Sequence, residues 1–514
     1  MSGNEYFEVK ELTKQIIQQY VMNQYPWGII TRPLTPVALM ILSITYIITI
    51  TTLILSFIQI VVLVRYSMAS LRYVKAYRRN NLSIKNIPVH KLPFVSILIP
   101  IKNENVLTIK RNLENIASLN YPRELLEVLY ISDDPEYYVN GLTKIIGSMM
   151  HKLGVNARII RRVNNTGYKG GALNYGIKHA KGDVIAVFDV DTIMPSDYLM
   201  KAVNALLNGY DAITAVWKGY YTVDNVISRL LKFMYDVYNE VFIRGRFLSG
   251  GFPAITGNNL VIWRKVLYSV NGFCECTGED LDLSIKLRSR GYKVGLIDSD
   301  VYCEVPYTYP SFKKQFSRWL FNSIWNMKHN LSLLITSNKT TFWEKIDGLL
   351  WMLQFPSMSF AALSILVTVI LSIIGVLVPP ISILFLEAIN AIIVIPLTII
   401  LILISRRVGY GMWDFITNAV RSVLLTILMS FPMLAYSIES LLIDEWEWVP
   451  TPKGQLTHSY SFLKDLIHEL LIILVLIAVM ITLVLSNQVL TALYIASILA
   501  ILLYGFKLII PHRY

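Results

Sequence analysis

The chain has 514 residues, 54% of them hydrophobic and only 16% charged. Ordinary soluble domains run at about 45–50% and about 25% respectively, so a wholly water-soluble protein is excluded. Lys and Arg number 47 against 35 Asp and Glu, yet from Ile346 onward there are seven basic and nine acidic residues. The positive surplus therefore sits in the first two-thirds, where it suits anionic headgroups and not nucleic acid. Three cysteines exclude a disulfide-built secreted scaffold and suit a reducing compartment.

After an N-terminal segment, 1–35, the stretch 36–64 is uncharged from Val37 to Val64. About 20 apolar residues suffice to cross a bilayer, so it reads as a transmembrane helix. The linker 65–91 carries seven Lys or Arg and no acid. By the positive-inside rule it is cytoplasmic, which puts the N-terminus outside and makes the chain a multi-pass protein of the plasma membrane. Further hydrophobic stretches lie at 346–404, read as two spans joined at Pro379-Pro380, and at 464–514, read as two more. The region 405–463 begins with an apolar stretch, Ile416 to Ile443, that holds Arg421, Pro432 and Glu439. If it crosses there are six spans; positive-inside favours five, with this helix lying at the interface.

Between these regions, 92–345 alternates short apolar runs with amphipathic stretches, the pattern of a parallel sheet covered by helices in a cytoplasmic α/β domain. Strands are expected at Phe94 to Pro100, Leu125 to Asp133, Val155 to Arg161, Asp183 to Asp189 and Ala212 to Val216. Ligands in such sheets collect at the carboxyl ends of strands.

Five groups of motifs carry candidate chemistry. Pro100-Ile-Lys-Asn103-Glu104 and Asp133-Asp134 close the first two strands and offer acceptors for a ribose and base, although Asn and Asp also favour turns. Gly167-Tyr-Lys169-Gly-Gly-Ala-Leu-Asn174 opens a helix whose glycines allow close approach and whose Lys169 offers a charge to phosphate; it is not a Walker A sequence. Asp189-Val-Asp191 follows an apolar strand with two carboxylates pointing the same way, a hard oxygen site for Mg²⁺ or Mn²⁺. Thr277-Gly-Glu279-Asp280 opens an amphipathic helix; on its own it reads as a helix cap, and beside a diphosphate–metal site its carboxylate would make a general base. Gln315, Arg318 and Trp319 share one helical face, with Arg suited to diphosphate and Trp to a sugar ring. Cys274 and Cys276 lack a nearby His pattern, so zinc is not expected.

In this order, with Gly257-Asn-Asn between the third and fourth, the motifs resemble those of the membrane-embedded family-two glycosyltransferases, among them the cellulose, hyaluronan and mannan or glucomannan synthases. The resemblance implies a Rossmann-like GT-A domain inserted in a polytopic helical membrane domain. It also implies a UDP- or GDP-sugar donor, UDP preferred, held through Mg²⁺ or Mn²⁺. On that reading Asn103, Glu104, Asp133, Lys169 and Asp189 bind the donor nucleotide, and Asp189 with Asp191 holds the metal. Asp280 deprotonates the acceptor hydroxyl, inverting an α-linked donor to a β-linked product. Glu279, Gln315, Arg318 and Trp319 serve the acceptor and diphosphate. Trp448-Val-Pro-Thr-Pro-Lys-Gly454 looks like the gating loop of the processive synthases, its Thr451 and Lys453 reaching the nucleotide. The acceptor is a growing polysaccharide exported across the membrane or, alternatively, a membrane lipid; a nucleotide-sugar-sensing transporter is the competing class.

Overall fold

The computed structural model describes residues 57–73, 87–373, 397–445, 462–486 and 489–509, with positions 43 and 54. The gating-like loop with Thr451 and Lys453, the N-terminal segment, most of the linker after residue 73 and the Pro379-Pro380 junction lie outside the described residues.

A seven-stranded sheet forms the centre of the α/β region: β1 (Val95–Ile101), β2 (Leu126–Ser132), β3 (Ala157–Arg161), β4 (Val184–Phe188), β5 (Ala212–Tyr220), β6 (Asn259–Trp263) and β7 (Val294–Glu304). Its order is β3-β2-β1-β4-β6-β5-β7. The first five follow the sequence expectation to within a few residues at their ends. The sheet is mixed, not parallel: β6 runs antiparallel to both β4 and β5, while β1, β2, β3 and β4 pair parallel, as do β5 and β7. Because β1 pairs with β2 on one side and β4 on the other, the chain reverses its direction of growth there. That leaves a crevice beyond the carboxyl ends of these two neighbours, where open sheets of this kind bind ligands.

The helices of the region, in chain order after α1 (57–73), are α2 (Val106–Ala117), α3 (Glu136–Leu153), α4 (Tyr168–His179), α5 (Tyr198–Leu207), α6 (Val226–Asn239), α7 (Arg264–Ser269), α8 (Glu279–Ser289) and α9 (Tyr309–Thr336). Alternate strand residues face opposite sides. Val95, Ile97 and Ile99 join Ile109, Leu142 and Tyr198 in one core, so α2, α3 and α5 cover that face. Leu98, Leu129 and Val187 join Leu173, Leu267 and Leu283 in the other, beneath α4, α7 and α8. Burial on both faces gives β1, β2, β4 and the start of β5 near-continuous apolar runs, the signal by which they are read in the sequence, while β3 is only partly buried.

Beyond α9 come α10 (Phe342–Leu353), α11 (Ser359–Ile373), α12 (397–407), α13 (Met412–Leu442), α14 (Ile467–Leu485) and α15 (Val489–Ile509). Met412–Leu442 and Ile467–Leu485 are each long and apolar enough to cross a membrane; Phe342–Leu353 with Pro356–Val367, bent by 56°, passes the same test as a pair. The stretch around Pro432 is thus one continuous 31-residue helix. Pro432 lies more than five turns into it, buried with Phe431 and Met433. One apolar cluster takes Ile227 and Leu231 of α6, Phe312, Phe316 and Leu320 of α9, and Leu425, Leu476 and Leu502 of α13, α14 and α15. The α/β region is therefore packed directly on the apolar helices. Helix α1 joins through Tyr66, fully buried against Val241 and Ile404.

Candidate active site

Helix α4 starts where Gly167 and Tyr168 both adopt positive φ (73° and 52°), a turn sharp enough to present the first helical residues toward β4. Gly170 admits no side chain: a Cβ there would lie 1.9 Å from the carbonyl oxygen of Cys274. The loop before α8 is thereby seated on the first turn of α4, and Asn174 fixes it by bonding both the N–H (3.0 Å) and the carbonyl (2.8 Å) of Phe273. Cys274 and Cys276, in this loop, are disulfide-bonded across one residue.

Lys169 extends from that turn into a cluster of acids. Its Nζ lies 2.7 Å from Asp189 Oδ1 and 3.5 Å from Glu279 Oε1, and donates to the Gly257 carbonyl at 2.9 Å. Asp280 Oδ2 accepts from the Gly257 N–H at 3.1 Å, and its Oδ1 from the Leu281 N–H at 2.8 Å. A Cβ on Gly257 would sit 3.1 Å from Lys169 Nζ, 3.2 Å from Glu279 Oε1 and 3.3 Å from Asp280 Oδ2, so all three side chains meet at this glycine. Residues 90 positions apart are thus joined by one ammonium. Burial opposes the charge on Lys169, but Asp189 and Glu279 outweigh it and hold the amine above its usual range. Burial pushes the Glu279 carboxyl up to about 7, partly offset by Lys169 and reinforced by Asp280. The acids also stand at the N-terminus of α8, where the helix dipole favours negative charge.

Asp191, two residues beyond Asp189, is buried; its Oδ2 accepts from the Glu304 N–H at 3.1 Å and its carbonyl from Tyr220 at 2.9 Å. Among the described residues no group of three or more His, Cys, Asp or Glu could hold a metal alone. Two aspartates at a strand end fit a divalent ion whose remaining ligands are substrate phosphates and water, the usual Mg²⁺ arrangement.

Asp133 is not a free acceptor. Arg162, buried and unnoticed in the sequence, grips it through both carboxylate oxygens (Nε at 2.8 Å, Nη2 at 2.6 Å) and also bonds the carbonyls of Thr166 and Tyr168. Asp133 therefore reaches the cluster indirectly, by holding the loop that launches Lys169. The second of two adjacent arginines closing β3, five residues before the glycine motif, was the available signal. Asp134 caps the neighbouring turn: it accepts from the Asn103 N–H at 2.7 Å and from Ser132 at 2.9 Å, with Asn103 at φ 55°. The Glu104 carbonyl takes the Tyr138 hydroxyl at 2.6 Å.

Gln315 and Trp319 are carried by α9. Gln315 Oε1 accepts from Tyr235 at 2.6 Å. Trp319 stands among Trp217, Tyr235, Phe316 and Phe355, with ring centroids 6.5, 6.0, 5.1 and 5.5 Å away. Arg318 is partly exposed, and its charge is felt at Tyr235. Helix α8 differs from expectation: it is not amphipathic but buried on most sides, Leu283 and Leu287 in the sheet core and Leu281 and Ile285 against α9 and α10.

The sheet carries an acid–lysine junction beyond its strand ends, and the helix that bears the aromatic cluster, α9, packs on the apolar helices. Residues 96–270 match the profile of glycosyl transferase family 2. Residues 184–508, more than half of the chain, match glycosyl transferase family group 2, and the chain belongs to that family. A probable glycosyltransferase of Sulfolobus acidocaldarius is 32% identical over 286 residues, 54% of this chain and 60% of that one. Glucomannan 4-beta-mannosyltransferase 1 of Oryza sativa subsp. japonica is 27% identical over 264 residues, 49% of this chain and 50% of that one. The matches thus span about half the length of these curated relatives. Among solved structures, the mannosyltransferase PcManGT from Pyrobaculum calidifontis, in complex with GDP-Man and Mn²⁺, is 18% identical with a TM-score of 0.47, over 76% of this chain and 99% of that one.

Proposed function

We propose that this chain is an inverting β-glycosyltransferase that moves a hexose from a nucleoside diphosphate sugar to a glycan, extending it processively and passing it across the membrane through its own helices. The observation that carries the reading is the junction at Gly257, whose backbone bonds both Lys169 and Asp280 while Lys169 also bonds Asp189 at the end of β4. A transferase of this kind needs a cation for the departing diphosphate and a base for the incoming hydroxyl on opposite sides of the transferred sugar. The names of the rice relatives favour a mannosyl donor, hence GDP over the UDP that the motifs alone suggest.

In this reading Asp280, oriented by two backbone N–H groups, takes the proton of the acceptor hydroxyl as that oxygen attacks the anomeric carbon. Lys169 meets the diphosphate as its bond to that carbon breaks, leaving Asp189 for the developing charge. Asp189 and Asp191 would hold a Mg²⁺ or Mn²⁺ ion, which when bound adds neutralising charge to the leaving group. Arg162 and Asp133 keep the Lys169 loop in place, and Trp319 offers the acceptor sugar an apolar face. The domain is proposed to face the cytoplasm, where nucleotide sugars are found, with Thr451 and Lys453 closing over the nucleotide.

Asp280→Asn is expected to lower sugar transfer by at least about a hundredfold, the low end of general-base contributions, while nucleotide binding persists. Asp191→Ala is expected to remove the Mn²⁺ dependence of nucleotide binding. Nucleotide release across a panel of UDP- and GDP-sugars, with product size read by gel filtration, tests donor and processivity together. Full transfer by Asp280→Asn would overturn the assignment, and a single lipid-soluble product would replace polymer synthesis with transfer to a membrane lipid.

A further inference from the structure

The loop that joins α7 to α8 is pinned on both sides and bridged in its middle. On one side Asn174 of α4 bonds the N–H and the carbonyl of Phe273. On the other, Asn326 of α9 donates to the Gly278 carbonyl at 3.3 Å, one residue before Glu279. Between these anchors runs Cys274-Glu275-Cys276, with the two cysteines joined to each other. Their Cα atoms stand 5.2 Å apart, where two extended residues span about 7 Å. The chain is thereby folded back at Glu275.

This folded tripeptide lies against the turn that launches Lys169. The Cys274 carbonyl oxygen sits 1.9 Å from where a Cβ on Gly170 would be, and Glu275 Cβ and Cγ sit 2.7 Å from where one on Gly167 would be. Gly167 and Gly170 flank Lys169, and Glu279 and Asp280 follow Cys276 by three and four residues. The bridge thus stands between the ammonium and the base. The domain is proposed to face the reducing cytoplasm, where disulfides are usually transient, catalytic or redox-sensing. Cys276 is buried, Cys274 half-buried and Glu275 exposed, so Cys274 offers the more accessible sulfur.

We propose that Cys274 and Cys276 form a reversible thiol–disulfide modification site, at which a dithiol reductant opens the loop beside Lys169 and weakens binding of the nucleotide donor. This rests on the transferase reading and adds redox control of that same site. One thiolate of the dithiol attacks the Cys274 sulfur, the Cys274–Cys276 bond breaks, and Cys276 leaves as a thiolate that takes up a proton. The second thiolate attacks the mixed disulfide, Cys274 leaves and is protonated in turn, and the reductant ends as a cyclic disulfide. Two electrons have then passed to the bridge, and a disulfide oxidant reverses each step. Once opened, the tripeptide is free to extend, and the Cys274 carbonyl and Glu275 lose their fixed seats on Gly170 and Gly167.

The test uses the detergent-solubilised full chain, equilibrated with oxidised or reduced dithiothreitol. Alkylation after denaturation, read by mass, should find one thiol, that of Cys303, in the oxidised protein and three in the reduced. Affinity for GDP and UDP is measured by calorimetry with Mn²⁺. For whichever nucleotide binds the tighter, it should fall roughly fivefold on reduction, the cost of re-ordering about one loop residue. Cys274→Ser and Cys276→Ser should each match the reduced wild type and ignore the redox state. The two states of the wild type decide the matter if a serine variant fails to fold. Three thiols after oxidation, an affinity that reduction leaves unchanged, or a serine variant that still answers to dithiothreitol would overturn the proposal. Wild-type protein whose nucleotide binding answers to redox state, but which releases nucleotide from no sugar donor, would uphold the site and remove the transferase reading instead.

Discussion

Glu279→Gln isolates the electrostatics of the lysine junction. The Glu279 side chain is 8% exposed, and burial moves its protonation midpoint from 4.5 to about 7 despite the attraction of Lys169. That difference corresponds to about 3 kcal/mol. Because the folded-state value is raised, the contribution is fully present below pH 4.5 and is lost as pH rises through 7. Glutamine keeps the shape and stays neutral, so its variant has no such loss. Wild-type and variant should have similar stability near pH 5, and the variant should become more stable above pH 7, by up to about 3 kcal/mol, or several degrees in Tm. The missing attraction to Lys169 is already contained in the net shift. Thermal unfolding of both proteins in one detergent from pH 5 to 8 measures the difference, and titrations common to both cancel. Parallel Tm-versus-pH curves, or a variant less stable at pH 8, would show that Glu279 is charged at little cost and that the junction is wetter than its geometry indicates.

Removing Arg162 leaves Asp133 without its bidentate partner and the Thr166 and Tyr168 carbonyls without a donor. Arg162→Ala should cost about 3–5 kcal/mol, as broken buried ion pairs do. Arg162→Lys, which keeps charge but not the fork, should fall between; denaturant midpoints check both, and equal stability of all three proteins would make the pair ornamental. Gly170→Ala drives a Cβ against the Cys274 backbone and should weaken nucleotide affinity at least tenfold along with stability. Gly147→Ala meets nothing within 4 Å in helix α3 and should be neutral or stabilising by about 0.5–1 kcal/mol.

The legible part of the fold was the part with uniform burial. Strand β4 is apolar throughout and β1 and β2 nearly so, because both faces are covered: Ser96 and Glu127 are bonded to each other in the interior, and each run ends abruptly at a polar motif. Strand β6 is five residues long and antiparallel, and no local signal marks strand direction. Strand β7 (VGLIDSDVYCE) is interrupted by Asp298 and Asp300, which look like loop residues until Arg244 of another element is seen beside them, at 3.3 and 2.5 Å. In the site, residue types were readable but partners were not. Asp133 and Arg162 are 29 positions apart, and Lys169 and Gly257 are 88 apart. Only the tertiary fold shows that one aspartate holds a loop while another faces a lysine.

The same limit explains why the membrane-facing helices and the α/β region could be read as separate domains in sequence although they share one core. Tyr309 and Lys313, on the first two turns of α9, both bond Glu469 of α14, at 2.6 and 2.9 Å. Glu469 is fully buried in an otherwise apolar helix. An acid in such a place is costly unless partnered, so the pair fixes the register of α9 against α14 more sharply than apolar contacts, which tolerate sliding. Trp319 and Asn322 lie on the next turns of the same rigid helix. The position of α9 is therefore fixed toward one end by Asn326 and Asn330, which bond the Gly278 carbonyl just before α8 and Asp282 within it, and at the other by Glu469. Helix α9 is thus held between the α/β region and the apolar helices, and a displacement of α14 would reach Trp319 through α9 without passing through strands β1 to β4.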